Sequence, residues 1–222
     1  MLWYVSSQAL YSSSRILTLS ISSTIIEEVW ALSKSGLATL AFFYFYPRDS
    51  DKQDLRSLLS SLLIQLFNQS DNFCTTLSEL YSVHERGSQQ PTEDALIKCL
   101  KDMLALPGQC DIYIVVDALD ECPNYYGYPS PRAEVLKIMQ ELVRFRYPHV
   151  HICITSRLEV DIRSALEPLA AHNLSLNDQT GQNQDIYDYI RSVVYSDPEM
   201  SKWREEDKKF VIETLTEKSG GM

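Results

Sequence analysis

Three continuous apolar runs alternate with helical patterns along this 222-residue chain, and this alternation limits the fold more than any other feature. The runs cover residues 37–46, 111–117 and 150–155, and apolar or aromatic side chains fill most of their positions. Strands that are apolar on both faces are typical of a parallel sheet covered by helices on both sides. We therefore predict a three-layer α/β fold in which the strand that ends at Asp117 is central.

Apolar residues also recur at helical spacing between and after these runs. The spacing predicts a short edge strand at residues 173–176 and helices at residues 21–30, 54–68, 92–106, 130–147, 158–166, 185–194 and 205–218. Asp54 and Thr92 are suited to cap the second and third of these helices, and Ser22 or Ser23 to cap the first.

The charge balance and the cysteines limit the partners and the location. The formal net charge is −10, which is the wrong sign for attraction to nucleic acid phosphates or to an anionic membrane surface. We therefore expect protein partners, no nucleic acid and no membrane. Five cysteines without CxxC or zinc-ligand spacing indicate a reducing compartment, and we expect a cytoplasmic protein.

Residues that can do chemistry directly follow two of the predicted strands. Asp117 ends one strand with Asp120 and Glu121 close behind, and Arg157 follows the next strand. Ligands of parallel sheets bind beyond the carboxyl ends of the strands. An apolar strand that ends in Asp is the Walker B pattern, in which Asp117 would hold Mg²⁺ through bound water. Asp120 or Glu121 would then orient the water that attacks a γ-phosphate, and Arg157 would contact the phosphate.

Each of these residues also has a plain structural interpretation. The acids could form a solvated loop after a buried strand, while Ser156 caps the next helix and Arg157 is a surface charge. An apolar run that ends in Asp is by itself a weak signal. From the residues alone, both interpretations stay open.

Five stretches together resemble the NACHT modules of fungal NTPases, also known as nephrocystin-like N-terminal domains. They read FFYF, DLRSLLSSLLIQL, IYIVVDALDEC, ICITSRLEVDI and DIYDYI. The resemblance runs from about Ser20 to Met222 and implies membership of the STAND class of signalling NTPases. It implies a P-loop NTPase-like fold, binding of Mg-ATP or Mg-GTP, and slow hydrolysis. It also implies nucleotide-controlled association with other protein domains or with further copies of the chain.

The N-terminal part departs from this family pattern. The family begins with a strand and then GxxxxGKS/T, whose backbone N–H groups and lysine hold the phosphates. Residues 2–5 resemble the leading strand, and Ser20 falls at the Mg-binding serine position. However, no glycine precedes Gly36 and no lysine precedes Lys34. We therefore predict a degenerate phosphate loop, weak or absent nucleotide binding, and no hydrolysis by the chain as written.

The resemblance also divides the chain into three parts. Residues 1–19 form a non-family segment, residues 20–180 a NACHT-like core, and residues 181–222 the start of a helical subdomain that is cut short. Residues 1–19 are either a divergent N-terminus or translated intron sequence, and in both cases we expect them to pack poorly. Three roles stay open: an impaired NTPase switch, a nucleotide-independent interaction fragment, and a truncated product without independent activity.

Overall fold

The computed structural model of the chain describes residues 1–7, 13–84, 88–125, 129–175 and 179–219. Five strands form one sheet in the order β2-β3-β4-β1-β5: β1 Leu2–Ser7, β2 Ala38–Tyr44, β3 Asp111–Asp117, β4 Val150–Arg157 and β5 His172–Ser175. The α-helices are α1 Ser13–Lys34, α2 Leu55–Phe67, α3 Asn72–Val83, α4 Glu93–Ala105, α5 Pro131–Arg144, α6 Val160–Leu166, α7 Gln179–Ser196 and α8 Glu205–Ser219.

Helices cover both faces of the sheet, which confirms the three-layer α/β prediction. β3 pairs in parallel with β2 on one side and with β4 on the other. Alternate residues of β3 join different cores, because side chains alternate across a strand. Ile114 belongs to the main core with α2, α4, α5 and α6. Val115 packs on the opposite face with Val29 of α1.

The strand that ends at Asp117 lies between the two other predicted strands, as expected. It is not the middle strand of the whole sheet, because β1 and β5 extend the sheet beyond β4. β4 is therefore the central strand, and Arg157 at its end lies at the middle of the carboxyl rim.

The expectation that residues 1–19 pack poorly is wrong for the first strand. β1 lies between β4 and β5, and Leu2, Tyr4 and Val5 are each at most 1% exposed. The Met1 amino group donates to the Val150 carbonyl at 2.6 Å. The apolar residues of β1 therefore pack into the core as part of a regular strand. Residues 8–12 lie outside the described residues.

Helix α1 starts earlier than the capping signal predicted. It begins at Ser13, so Ser22 lies inside the helix and does not cap it. The two other predicted caps are confirmed: the Asp54 carboxylate accepts from the Ser57 N–H at 2.8 Å, and the Thr92 hydroxyl accepts from the Ala95 N–H at 3.3 Å.

The chain forms two compact units. The first comprises Met1–Ser6 and Leu17–Leu174 and contains nearly all of the sheet; the second comprises Ser7–Ile16 and Ser175–Met222 and contains α7 and α8. Within the second unit, the Tyr195 hydroxyl donates to Glu205 at 2.7 Å, and the Lys208 ammonium lies 5.0 Å from the Tyr195 ring centroid. No helix among the described residues is long and apolar enough to cross a membrane.

Candidate functional site

Asp117 ends β3 on the face of the sheet that α1 covers, and it is 1% exposed. Its Oδ1 accepts a hydrogen bond from the Ser22 hydroxyl at 2.7 Å and a short one from the Thr155 hydroxyl. Burial raises the pKa of Asp117, since it disfavours the charged form, and the two hydroxyls oppose that rise. Asp117 is therefore a buried acid whose anion depends on hydrogen bonds from α1 and β4.

The chain turns sharply after Asp117. Ala118 has φ 54° and ψ 46°, a left-handed conformation that non-glycine residues rarely adopt. The buried Arg132 side chain holds the 3-10 turn that follows Ala118. Its Nη2 donates to the Asp120 carbonyl at 2.6 Å, and its Nε donates to the Cys122 carbonyl at 2.9 Å. These two hydrogen bonds fix the backbone of the turn, and with it the direction in which the Asp120 side chain projects.

Arg157, at the end of β4, is held by the acids of that turn. The two carboxylate oxygens of Asp120 accept from the Arg157 backbone N–H at 2.8 Å and from its Nε at 2.6 Å. The Nη2 of Arg157 also donates to Glu121 at 3.2 Å. The Asp120 side chain is only 5% exposed and that of Arg157 is 43% exposed. Charge-assisted contacts of this kind are strong and directional, so Arg157 is oriented by two acids.

The structure thus brings Asp117, Asp120, Glu121 and Arg157 to one rim, at the carboxyl ends of β3 and β4. Asp120, Glu121 and Arg157 form one ion-pair network, and Asp117 lies beside it. Their placement follows the sequence prediction, while their catalytic and binding roles remain proposals.

Four residues of this rim were missed or misassigned in the sequence analysis. Ser22 and Thr155 hold Asp117, and Arg132 holds the turn. Tyr4 of β1, 0% exposed, shares a hydrogen bond of 3.1 Å with Ser156, whose hydroxyl donates to the Arg157 carbonyl. Thr155 could have been found, because it ends a predicted strand beside Arg157. Nothing in the sequence pattern marks Arg132 or Tyr4.

Two further titratable side chains lie near Asp117, and neither is poised to react. Burial raises the pKa of Tyr44 and of Cys153, and the Asp117 carboxylate adds to both rises. The pKa of the Cys153 thiol is about 11. This thiol is protonated at neutral pH and is not a nucleophile.

The backbone from Ser13 to Ser22 is helical, where the resemblance to the family predicted a phosphate loop. Because α1 begins at Ser13, the N–H groups from about residue 17 onward donate within the helix. Ser20 lies within this helix, and its side chain is outside the described part of the chain, so its Mg-binding role stays a prediction. Lys34 is in the last turn of α1, roughly 18 Å along the helix from Ser22.

The acidic side chains, as arranged, do not form a centre that ligates magnesium directly. Mg²⁺ needs oxygen ligands and bound waters in octahedral order. Both oxygens of Asp120 are used by Arg157, and Oδ1 of Asp117 accepts two hydroxyl hydrogen bonds. Over the described ranges, no three His, Cys, Asp or Glu side chains are grouped so as to hold a metal ion.

Residues 20–157 match the family described as Nephrocystin 3, N-terminal. This match covers more than half of the 222 residues, and the chain belongs to this family. The matched range begins at Ser20 and ends at Arg157, so it contains the whole acidic rim but not β1.

More distant likenesses are weak. The chain is 28% identical over 112 residues to the chloroplastic phenylalanine–tRNA ligase beta subunit of Gracilaria tenuistipitata var. liui, which covers 47% of this chain and 15% of that protein. The ORC2 protein of Aeropyrum pernix in ADPNP–ADP complexes superposes with a TM-score of 0.49 and 15% identity, over 85% of this chain and 44% of that chain. Drosophila ORC bound to DNA gives a TM-score of 0.34 and 13% identity, over 74% and 70%.

The chain therefore spans 15% of the length of the curated relative and 44% of the length of the ORC2 chain. Likeness at this level does not indicate function or partners for this chain. The expectation that this protein binds no nucleic acid stays a prediction.

Proposed function

We propose that this chain is a NACHT-type signalling NTPase module whose own nucleotide binding is impaired. The observation that carries the proposal is the helical backbone from Ser13 to Lys34, at the position where the family has a phosphate-binding loop. A module of this kind would act by associating with other protein domains or with further copies of itself, and not by turnover of nucleotide.

The acidic rim supports descent from a nucleotide-binding module. In the family, the acid at the end of the third strand is on the magnesium side, and Asp117 has that position here. Asp120 and Glu121 would act on the attacking water, and Arg157 would contact the γ-phosphate. Here Arg157 is instead engaged by Asp120 at 2.6 Å, so it would have to exchange partners before it could contact a phosphate.

The lack of a glycine-rich loop and of its lysine in the sequence supports impaired nucleotide binding. Charge-assisted hydrogen bonds contribute roughly 1.5–3 kcal/mol each. Loss of the lysine and of several backbone N–H donors should therefore weaken affinity by orders of magnitude. If Mg-ATP or Mg-GTP binds, we expect affinities far too weak for a switch.

A cytoplasmic location fits the state of the cysteines. All five are free thiols, and Cys99 and Cys122 are buried. Burial raises the pKa of the Cys122 thiol to about 12, so it is an inert structural group. Free thiols of this kind suit a reducing compartment.

Calorimetric titration of the chain with Mg-ATP and Mg-GTP tests the proposal. We expect no measurable heat of binding at micromolar protein, and low-micromolar affinity would overturn the impairment. A chimera in which a glycine-rich loop ending in Gly-Lys replaces the residues before Ser20 tests whether the acidic rim can still support nucleotide binding. We expect the chimera to gain Mg-nucleotide binding, and Asp117→Asn in the chimera to abolish the gain.

A nucleotide-independent interaction fragment is the second candidate. It is favoured by the hydrogen bonds within the rim, because both carboxylate oxygens of Asp120 accept from Arg157 without a ligand. The same chimera separates the two candidates. A folded chimera that binds no nucleotide would show that the rim serves the fold alone, and would favour the interaction fragment.

A further inference from the structure

A surface cavity of about 500 Å³ lies between α4 and α5, and we call it the α4–α5 groove. Ile97 and Ile138 contribute apolar surface to its lining, and Ile138 is buried. The Lys101 ammonium in the groove pairs with Glu141 at 2.7 Å and lies 5.1 Å from the centroid of the Phe145 ring. The groove therefore combines an apolar floor with charged and aromatic walls.

Two further lysines line the α4–α5 groove from opposite helices. Burial raises the pKa of Glu134, and the nearby Glu93 carboxylate adds to the rise, so the first turns of α4 and α5 are neighbours. The Lys101 ion pair joins the same helices about two turns further on. Lys98 and Lys137 fall between these contacts. Both are exposed, and neither forms an ion pair with a described carboxylate, so an anionic group between them would be stabilised.

Phe145 is presented to solvent at the other end of this groove. It is 57% exposed and stacks on Tyr147, with the ring centroids 5.7 Å apart. Arg146 between them has φ 50°, a left-handed conformation for which glycine is the usual residue at the end of a helix. Lys137 and Phe145 are separated by about 12 Å along the α5 axis. The α4–α5 groove thus has a cationic end and an aromatic end.

One face of α8 has the complementary pattern. Phe210 is 69% exposed, and the exposed Glu206 and Glu213 lie about one turn before and one turn after it on the same face. Glu213 has only an exposed contact of 3.8 Å with Lys209, and Glu206 forms no ion pair with a described cation. The two glutamates are roughly 10.5 Å apart along the axis. This face is therefore an aromatic side chain between two acids, and its length is close to that of the groove.

We propose that the α4–α5 groove binds α8 of a second copy of this chain. In this contact Phe210 covers the apolar floor. One of its flanking glutamates lies between Lys98 and Lys137, and the other lies at the Phe145 end. The two surfaces differ, so the contact is head-to-tail and can continue to species larger than a dimer. The inference rests on the association with further copies that we propose for this module, but not on its nucleotide site.

The charge of the groove favours this position over the rest of the surface. Asp94, Asp102 and Glu141 also line the groove, so three acids balance its three lysines. The chain as a whole has a formal net charge of −10, and most of its surface should therefore repel the acidic face of α8. The groove does not, and its Lys98 and Lys137 are left without ion pairs among the described residues.

Charge reversal with rescue tests the proposal, measured by light scattering after size-exclusion chromatography over a concentration series. The wild type should form species that grow with concentration. Lys98→Glu/Lys137→Glu reverses the groove, and Glu206→Lys/Glu213→Lys reverses the helix. Each variant alone should stay monomeric, because like charges meet at the contact. An equimolar mixture of the two should associate again, because the acidic groove of one variant meets the basic helix of the other.

Two further variants separate this contact from general effects. Lys34→Glu/Lys52→Glu changes the net charge as much as the groove reversal does, at exposed lysines outside the groove, and should associate like the wild type. Phe210→Ala removes the aromatic side chain and should weaken association about tenfold or more. Its melting temperature at low concentration should match that of the wild type, because Phe210 is exposed.

Three results would overturn the proposal. A wild type that stays monomeric throughout the series would show that the groove does not bind a second copy. Undiminished association of either reversed variant would place the contact elsewhere. Two monomeric variants that fail to associate when mixed would show that the groove and α8 are not partners. None of these results involves nucleotide, so each is distinct from a failure of the proposed impairment.

Discussion

The two halves of the sheet rim differ in how many of the groups expected for a nucleotide site they contain. At the ends of β3 and β4, Asp117, Asp120 and Arg157 are all held by hydrogen bonds from other elements. In the β1–α1 region, a buried strand and a long helix are present, but the described backbone holds no glycine-rich turn and no lysine before Lys34. The acidic half is stabilised by contacts within the protein, whereas a phosphate loop has mainly its ligand to stabilise it. The difference shows that contacts within the protein hold the acidic rim in place without a ligand.

The largest effect should come from the strand that we expected to pack poorly. Tyr4 is 0% exposed and its hydroxyl reaches Ser156, so Tyr4→Ala should lower the free energy of unfolding by about 3–5 kcal/mol. Urea denaturation measures the loss. Trp3→Ala is the control on the same strand: Trp3 is 37% exposed and stacks on His172, so about 1 kcal/mol is expected. A larger loss for Trp3→Ala than for Tyr4→Ala would contradict the placement of β1 in the core.

Removal of the acid that orients Arg157 should rank second. Asp120→Ala leaves the Arg157 N–H without its acceptor and should lower the free energy of unfolding by about 2–3 kcal/mol. We set this below the cost of a fully buried pair, because the Arg157 side chain is 43% exposed and partly screened. Asp120→Asn retains an oxygen for the Arg157 N–H and should cost less. Equal stability of the wild type and Asp120→Ala in urea would show that the ion-pair network does not hold the rim.

Asp117→Asn should have a smaller effect, and of opposite sign at neutral pH. Burial raises the pKa of Asp117 above its unfolded value, so the folded state binds the proton more tightly. The contribution of Asp117 to stability is therefore fully present below about pH 4 and is lost as the pH rises through the folded pKa. The asparagine should abolish this dependence and stabilise the protein at pH 7.

Thermal melting of both proteins between about pH 4 and pH 8 measures this dependence. Added MgCl₂ should raise the melting temperature of neither protein, because the rim as arranged does not form a metal centre. A rise with Mg²⁺ in the wild type that Asp117→Asn removes would instead assign Asp117 to a metal site.

The smallest effect should come from the turn after Asp117. Ala118 has φ 54°, which costs an alanine but not a glycine. Ala118→Gly should raise the free energy of unfolding by about 0.5 kcal/mol, after the greater chain entropy of glycine is subtracted. Ala133→Gly in α5 should lower it by up to about 1 kcal/mol, because helical φ suits alanine. The same sign for both variants would contradict the left-handed turn.

Local pattern was enough for most of the fold. The apolar runs predicted β2, β3 and β4, and Asp54 and Thr92 marked two helix starts through hydrogen bonds to residues three positions away. α3 was not predicted, and the start of α1 was predicted wrongly, because Ser22 carries the same capping signal as a true cap. In the fold Ser22 faces Asp117, and α1 continues back to Ser13. The start of α1 was therefore predicted wrongly, because the Ser22 hydroxyl bonds to Asp117, far along the chain, and does not cap the helix.

The sequence by itself determined the class of the fold and which acids follow the strands, since both depend on residues that are close along the chain. Only the tertiary structure decided what those acids contact. Ser22 lies 95 residues before Asp117, and Arg157 lies 37 residues after Asp120. Likewise, no pattern in the sequence indicates that the Gln65 and Gln69 side chains hydrogen-bond to the backbone of Phe42 and Leu40. Hydrogen-bond partners at such separations depend on how strands and helices pack in space, and spacing along one chain does not record that.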